Sequence, residues 1–312
     1  MDYMVGVIKL GMIGINDGNG HPFSFSAIIN GYDDEGMKHS GWDVIYDYLQ
    51  LRDASEIGFE GVEVTHAWTQ DPEQTHILAK ASKIPNVVED PVDMLSEVDG
   101  VIIARDDYET HYPLAKVFLE NDKFVFIDKP LSLDIEELRF FRPYLQDGKL
   151  MSCAGARYAQ ELDEIRETID TFGDMKLIRG TVVNGMEKYG IHMLDGIFGV
   201  TGFQVESVSC VEAKHISMRI KNTDNSLIYI DALGETCKTL QFDFWSDKKR
   251  FHAETNDNFT MFRRLLIDFV AMIRTGKPIV DPDLVINSMK VLIAANISRK
   301  ENREIRIDDI AI

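Results

Sequence analysis

The stretch "DGVIIARDDYETHYPLAKVFLENDKFVFIDKPLSLD", residues 99–134, decides the fold class. It opens on a short apolar run, Gly100 to Ala104. It continues through "THYPLAKVFLEND", where apolar residues recur at helical spacing behind a capping-type residue, and closes on a second apolar run, Phe124 to Ile127. Strand, helix and strand are predicted. Both strands read as near-continuous apolar runs, which is the pattern of a parallel sheet covered on both faces. The same alternation extends outward. Further strands are predicted at about Ile8 to Ile15, Val62 to Trp68 and Val87 to Val88, with a sixth around Leu150 to Ala154, and "DPEQTHILAKASKI" supplies another amphipathic helix. The connection Asp33 to Gly61 is longer than a usual helix-to-strand link, so a helix of its own is expected within it.

After about Ala156 the pattern changes. "MKLIRGTVVNG", "QVESVSCVEAKHISMRI", "SLIYIDALG" and "CKTLQFDFWS" alternate apolar and polar residues between Gly, Asn and Asp turns, as an antiparallel sheet with one exposed face does. Two helical segments close the chain, "NFTMFRRLLIDFVAMIRTG" and "DPDLVINSMKVLIAANISRKEN", the first stopped by Gly276 and Pro278. The expected fold is α/β, with an N-terminal doubly wound parallel sheet over residues 1–156. A C-terminal α+β domain on an open, mainly antiparallel sheet follows over residues 157–312.

Composition narrows the function. The 312 residues are 45% hydrophobic, ample for packed cores. No apolar run reaches the roughly 18 residues of a membrane span, and "MDYMVGVIKL" lacks the features of a secretory leader, so a cytoplasmic chain without a membrane partner is expected. With 52 acidic against 33 basic side chains the net charge is −19, which repels nucleic acid; an anionic ligand must meet a local positive pocket. Cys153, Cys210 and Cys237 have no close spacing and are read as buried free thiols, and the eight histidines show no paired ligand spacing, so no metal is expected.

The first strand leads into "GMIGINDGNGHPFSFSAIING", a glycine-rich turn before a helix. A dinucleotide turn uses one glycine to leave the strand, a second for close approach to pyrophosphate and a third for helix packing. Gly14 stands at the strand end, Asn16 occupies the second position, and Gly18 and Gly20 come late. The strand ending "THAWTQDPE" carries Thr69 and Gln70 where an NAD enzyme usually has an acid for the adenosine ribose. Asp71, ahead of Pro72, reads as a helix cap, and no Arg lies nearby in sequence to clamp a 2′-phosphate.

Residues 99–134 closely resemble the segment of the glucose-fructose oxidoreductase, inositol dehydrogenase and rhizopine catabolism family (Gfo/Idh/MocA) that ends in a Glu-Lys-Pro motif, here Asp128-Lys129-Pro130. The similarity continues through "SCAGARYAQELDEIRE", "YGIHMLDGIFGVTG" and the C-terminal helices. The opening resembles a branch in which the second glycine is replaced and a histidine follows the turn, here Asn16 and His21.

The resemblance implies an NAD- or NADP-dependent oxidoreductase acting on a sugar, sugar acid, cyclitol or nucleotide sugar, working as a homodimer or homotetramer. It implies cofactor contacts at Gly14, Ile15, Asn16, Gly18, Gly20, His21, Thr69, Ala104, Arg105, His111, Asp128 and Lys129. It makes Lys129 and His192 the catalytic pair, with Lys129, Arg157, Lys188 and His192 facing substrate, and a cis bond between Lys129 and Pro130. An ammonium can hold a substrate oxygen, and an imidazole titrates near neutrality. His192 and Asp195, three apart, share a helix face. Lys188 stands where the family has an acid, which favours an anionic carbohydrate over a neutral polyol. Asn16, Thr69, Arg105 and Lys188 depart from the family pattern together and keep a rival reading open, a non-catalytic nucleotide- or sugar-binding sensor on the same fold.

Overall fold

The computed structural model describes residues 6–312. In chain order its strands and helices begin with β1 (Ile8–Ile13), α1 (His21–Asn30), α2 (Asp34–Lys38), α3 (Asp43–Gln50), β2 (Val62–Trp68), α4 (Pro72–Ala81), β3 (Asn86–Val87) and β4 (Gly100–Ile103). They continue with α5 (His111–Glu120), β5 (Phe124–Ile127), α6 (Ile135–Gln146), β6 (Leu150–Ser152), α7 (Asp163–Thr168), β7 (Met175–Val182) and α8 (Met186–Thr201). The chain ends with β8 (Val205–Glu212), β9 (Ile216–Asn222), β10 (Leu227–Ala232), β11 (Leu240–Ser246), β12 (Arg250–Glu254), α9 (Asn258–Thr275), α10 (Pro282–Glu301) and β13 (Ile305–Arg306). The connection after α1 carries α2 and α3, the local helices its length calls for.

Packing separates two units. Among the described residues the first holds 6–128, 143–152 and 262–279; the second holds 129–142, 153–261 and 280–312.

In the first unit a six-stranded parallel sheet runs β3-β2-β1-β4-β5-β6. Strand order reverses between β1 and β4, the switch point where doubly wound sheets bind ligands beyond the strand carboxyl ends. Leu10, Met12, Ile13, Val101, Ile102, Ile103, Val125, Phe126 and Ile127 are fully buried, as strands covered on both faces require. Residues 262–279 join this core: Phe262 meets Phe25 edge-on at 5.2 Å, and Phe269 lies 5.8 Å from Phe126. β1 stops two residues short of its predicted end for a visible reason. The Gly14 amide bonds to the Trp68 carbonyl, and the Ile15 amide turns to the Gln70 side chain, which leaves the ladder.

The second unit is built on a seven-stranded sheet ordered β12-β11-β7-β10-β9-β8-β13, antiparallel except for the β7–β10 pair. α8 lies against β7 and β10, and α10 against β8. The opposite face carries polar side chains, among them Arg179, which pairs with Asp231 at 3.2 Å. β6 ends at Ser152, and two residues later the Ala154 amide goes to the Asp195 carboxylate in place of a strand partner. Cys153 and Cys210 are buried, but Cys237 is exposed, contrary to the expectation of three buried thiols, because it sits in the polar turn between β10 and β11. Among the described residues no helix is long and apolar enough to cross a membrane.

Candidate functional site

In the first unit the predicted cofactor residues gather at the carboxyl ends of β1, β2, β4 and β5. Gly14 is required by space: a Cβ there would stand 2.8 Å from the Ala104 carbonyl oxygen and 2.9 Å from Pro22 Cγ. Asn16 to Asn19 form a tight turn closed by the Asn19 amide on the Asn16 carbonyl, with Gly18 at φ +76° and nothing near it. Asn16, which stands in for the second glycine, does not project over the turn. Its amide nitrogen donates to Asp106 at 2.5 Å while its oxygen accepts from the Asp106 amide at 3.1 Å. Gly20 lies under Trp42 and Ile45, either of which a side chain would strike.

The two ends of the crevice are tied differently. Toward β2, the guanidinium of Arg105, 8% exposed, donates Nη1 to the Ile15 carbonyl and to Gln70 Oε1. Its Nε and Nη2 chelate Asp107 at 2.8 and 2.5 Å. Toward β5, Asp128, 2% exposed, accepts from Asn19 at 3.0 Å and contacts His21 Nδ1 at 2.5 Å. The His21 ring stacks on Phe25 and meets Phe262 edge-on. His111 is fully buried with Nε2 against the Arg105 carbonyl, so it fixes the loop that carries Arg105. The Thr69 hydroxyl is turned inward to Thr75 and the Asp71 carbonyl, and Asp71 caps α4 as its position before Pro72 suggests.

These residues fit a dinucleotide, with donors placed unusually. At the start of α1 the His21 amide goes to Asn19 Oδ1, Pro22 has no amide proton, and the Phe23 and Ser24 amides go to the Gly20 carbonyl. The helix terminus therefore offers little to a phosphate. The amides of Asp17, Gly18 and Gly20 make no hydrogen bond among the described residues, and these turn amides are the available anion donors.

In the second unit Lys129 follows through a cis bond to Pro130, as the resemblance implies, and is 4% exposed. Its ammonium stands 5.8 Å from the Tyr189 ring centre, and the half-buried His192 ring lies 5.5 Å from the same ring. Tyr189 thus joins the two predicted catalytic side chains. The sequence signal was an aromatic one helical turn before His192, which α8 places on the same face. Lys188 is exposed in the first turn of α8. Arg157 is half-buried, and its Nη1 is buried without a hydrogen-bond partner. Asp195, on α8 and 3% exposed, accepts from the Ala154 amide at 2.5 Å. Burial pushes its carboxyl up to about 6, opposed by the Arg157 charge and that amide. Asp195 therefore positions the segment after β6 and faces no open space.

Residues 42–142 match the family described as "Oxidoreductase family, NAD-binding Rossmann fold", which places the parallel sheet among NAD-binding Rossmann folds. No curated protein matches the chain by sequence. Among solved structures, apo scyllo-inositol dehydrogenase from Lactobacillus casei is 14% identical, with a TM-score of 0.78 over 97% of this chain and 99% of that one. A putative myo-inositol dehydrogenase from Sinorhizobium meliloti 1021 is 16% identical, with a TM-score of 0.73 over 96% and 99%. GenD2 from gentamicin A biosynthesis, solved with NAD, is 14% identical, with a TM-score of 0.77 over 97% of each chain. The likeness extends through both units and is one of fold.

Proposed function

We propose that this chain, whose residues 42–142 carry the Rossmann segment of the Gfo/Idh/MocA oxidoreductases, is an NAD(P)-dependent dehydrogenase or reductase acting on a CH–OH group of a carbohydrate-like substrate. The observation that carries the reading is the arrangement of Lys129 and His192 about one ring, Tyr189. A pure binding protein has no need to hold an ammonium and an imidazole together. Bound nicotinamide supplies a hydride acceptor or donor. Lys129 holds the reacting oxygen through its N–H donors, and His192 takes the hydroxyl proton during oxidation or returns it during reduction. Residues of the first unit bind the cofactor: the turn amides take the phosphates, and His21, fixed by Asp128, borders the turn.

The substrate class follows from charge. Lys129, Lys188 and Arg157 are the cations proposed to face it, so a sugar acid or nucleotide sugar suits the site better than a neutral cyclitol. A panel of sugars, sugar acids, cyclitols and nucleotide sugars, followed by nicotinamide absorbance in both directions, tests the reading. Turnover of an anionic member supports it. Failure of the whole panel despite tight cofactor binding supports the sensor reading instead. The polar open face of the second sheet is proposed as the homodimer or homotetramer surface, and a particle of 35.5 kDa by light scattering at all concentrations would count against that.

A further inference from the structure

At the end of β2, where a doubly wound fold reads the adenosine ribose, this chain has an amide, Gln70, in place of an acid. Two donors converge on the oxygen of that amide: the Ile15 N–H at 3.1 Å and Arg105 Nη1 at 2.8 Å. Their convergence fixes the side chain, because an amide nitrogen placed there would face two donors and accept from neither. Nε2 is therefore directed away from both, in a residue that is itself exposed. Sequence offered no Arg near this strand end; the fold brings one across from the end of β4.

That Arg is not available to a phosphate. Asp107 chelates it, and the same corner carries Asp71, which caps α4, and Asp106, which holds Asn16. Three carboxylates thus accompany one guanidinium. A 2′-phosphate brings a charge of about −1.5 to −2 into that surplus, whereas a 2′-hydroxyl brings none. We infer that Gln70, held by Ile15 and Arg105, replaces the ribose-binding acid by donating Nε2–H to a ribose hydroxyl, and that Asp107, by neutralising Arg105, makes this corner select NAD over NADP. The inference rests on the cofactor reading above and adds to it the residues that choose between the two dinucleotides.

Calorimetric titration of the whole protein with NAD+ and with NADP+ tests it without any turnover. The parent is expected to bind NAD+ at least about tenfold more tightly, a difference within the reach of one charged contact. Asp107→Asn keeps the shape and frees the Arg105 charge. It is expected to tighten NADP+ about tenfold and to leave NAD+ within about threefold. Gln70→Leu is expected to weaken NAD+ by about five- to tenfold, through loss of one or two hydrogen bonds. A thermal melt of each variant confirms that it is folded. Equal or tighter NADP+ binding by the parent overturns the inference alone, as does an Asp107→Asn protein with an unchanged preference. No heat with either dinucleotide overturns the cofactor reading itself, and this inference with it.

Discussion

The two candidate regions are held by different kinds of bond. At the strand ends of the first unit nearly every polar side chain is tied to another: Arg105 to Asp107, Gln70 and Ile15, Asn16 to Asp106, and Asn19 and His21 to Asp128. In the second unit the Lys129 ammonium and the His192 ring stand 5.8 and 5.5 Å from the centre of one ring, Tyr189. The first arrangement is a frame set before any ligand arrives, so binding there costs little further ordering. The second gathers an ammonium and an imidazole about one aromatic ring. In the proposed function, recognition belongs to the first region and chemistry to the second.

The largest effect that divides the two falls on Lys129. Lys129→Met keeps most of the stem packing and deletes the charge, and turnover of a true substrate is expected to fall by about 10² or more, as for loss of a group acting in the transition state. Turnover at the parent rate would sink the assignment. Next comes His192→Asn, expected to cost turnover by about tenfold or more and to flatten its pH dependence near neutrality, which rate measurements across pH 5 to 9 would show. If both side chains serve one step, as proposed, the double variant loses less than the product of the single losses.

A smaller and wholly structural effect belongs to Asp195. Burial pushes its carboxyl up to about 6 in the folded chain from the ordinary aspartate value of 3.8, so between these values the folded state binds more protons than the unfolded state. Stability from this group is therefore present at low pH and lost as pH rises through about 6, an effect of about 2–3 kcal/mol. Asp195→Asn is expected to remove that part of the slope, so denaturant melts at pH 5 and pH 8 should differ less in the variant than in the parent. Equal slopes would mean that Arg157 and the Ala154 amide offset the burial completely. Smallest is Asn16→Gly, which restores the usual second glycine and cuts the two bonds to Asp106. A loss of about 1–2 kcal/mol is expected in urea melts, with cofactor binding retained; loss of that binding would make the side chain a ligand contact.

The comparison also shows what local sequence can carry. The strands of the first sheet were legible because each is a short apolar run between turn residues, and α4 because its apolar residues keep a helical period behind the Asp71 cap; α5 keeps such a period without a side-chain cap, and α10 is capped by Asp281 but buried nearly all round. Strand ends were less so: β1 and β6 stop where a backbone amide finds a side chain, Gln70 for Ile15 and Asp195 for Ala154, and those partners are 55 and 41 residues away. The amphipathic pattern of α9 shows that it has an apolar face without telling which core that face joins. The same limit holds at the site. Lys129 and His192 could be named from motifs, whereas the pairing of Gln70 with Arg105 spans 35 residues and depends on β1 lying between β2 and β4.

The division of labour itself is tested most directly by titrating NADH, followed by its fluorescence, into the Lys129→Met/His192→Asn double variant beside the parent. Dissociation constants are expected to differ by about tenfold at most, far less than the loss of turnover, since Lys129 is one expected cofactor contact among many and the frame of the first unit is untouched. A double variant that is folded but no longer binds NADH would contradict it.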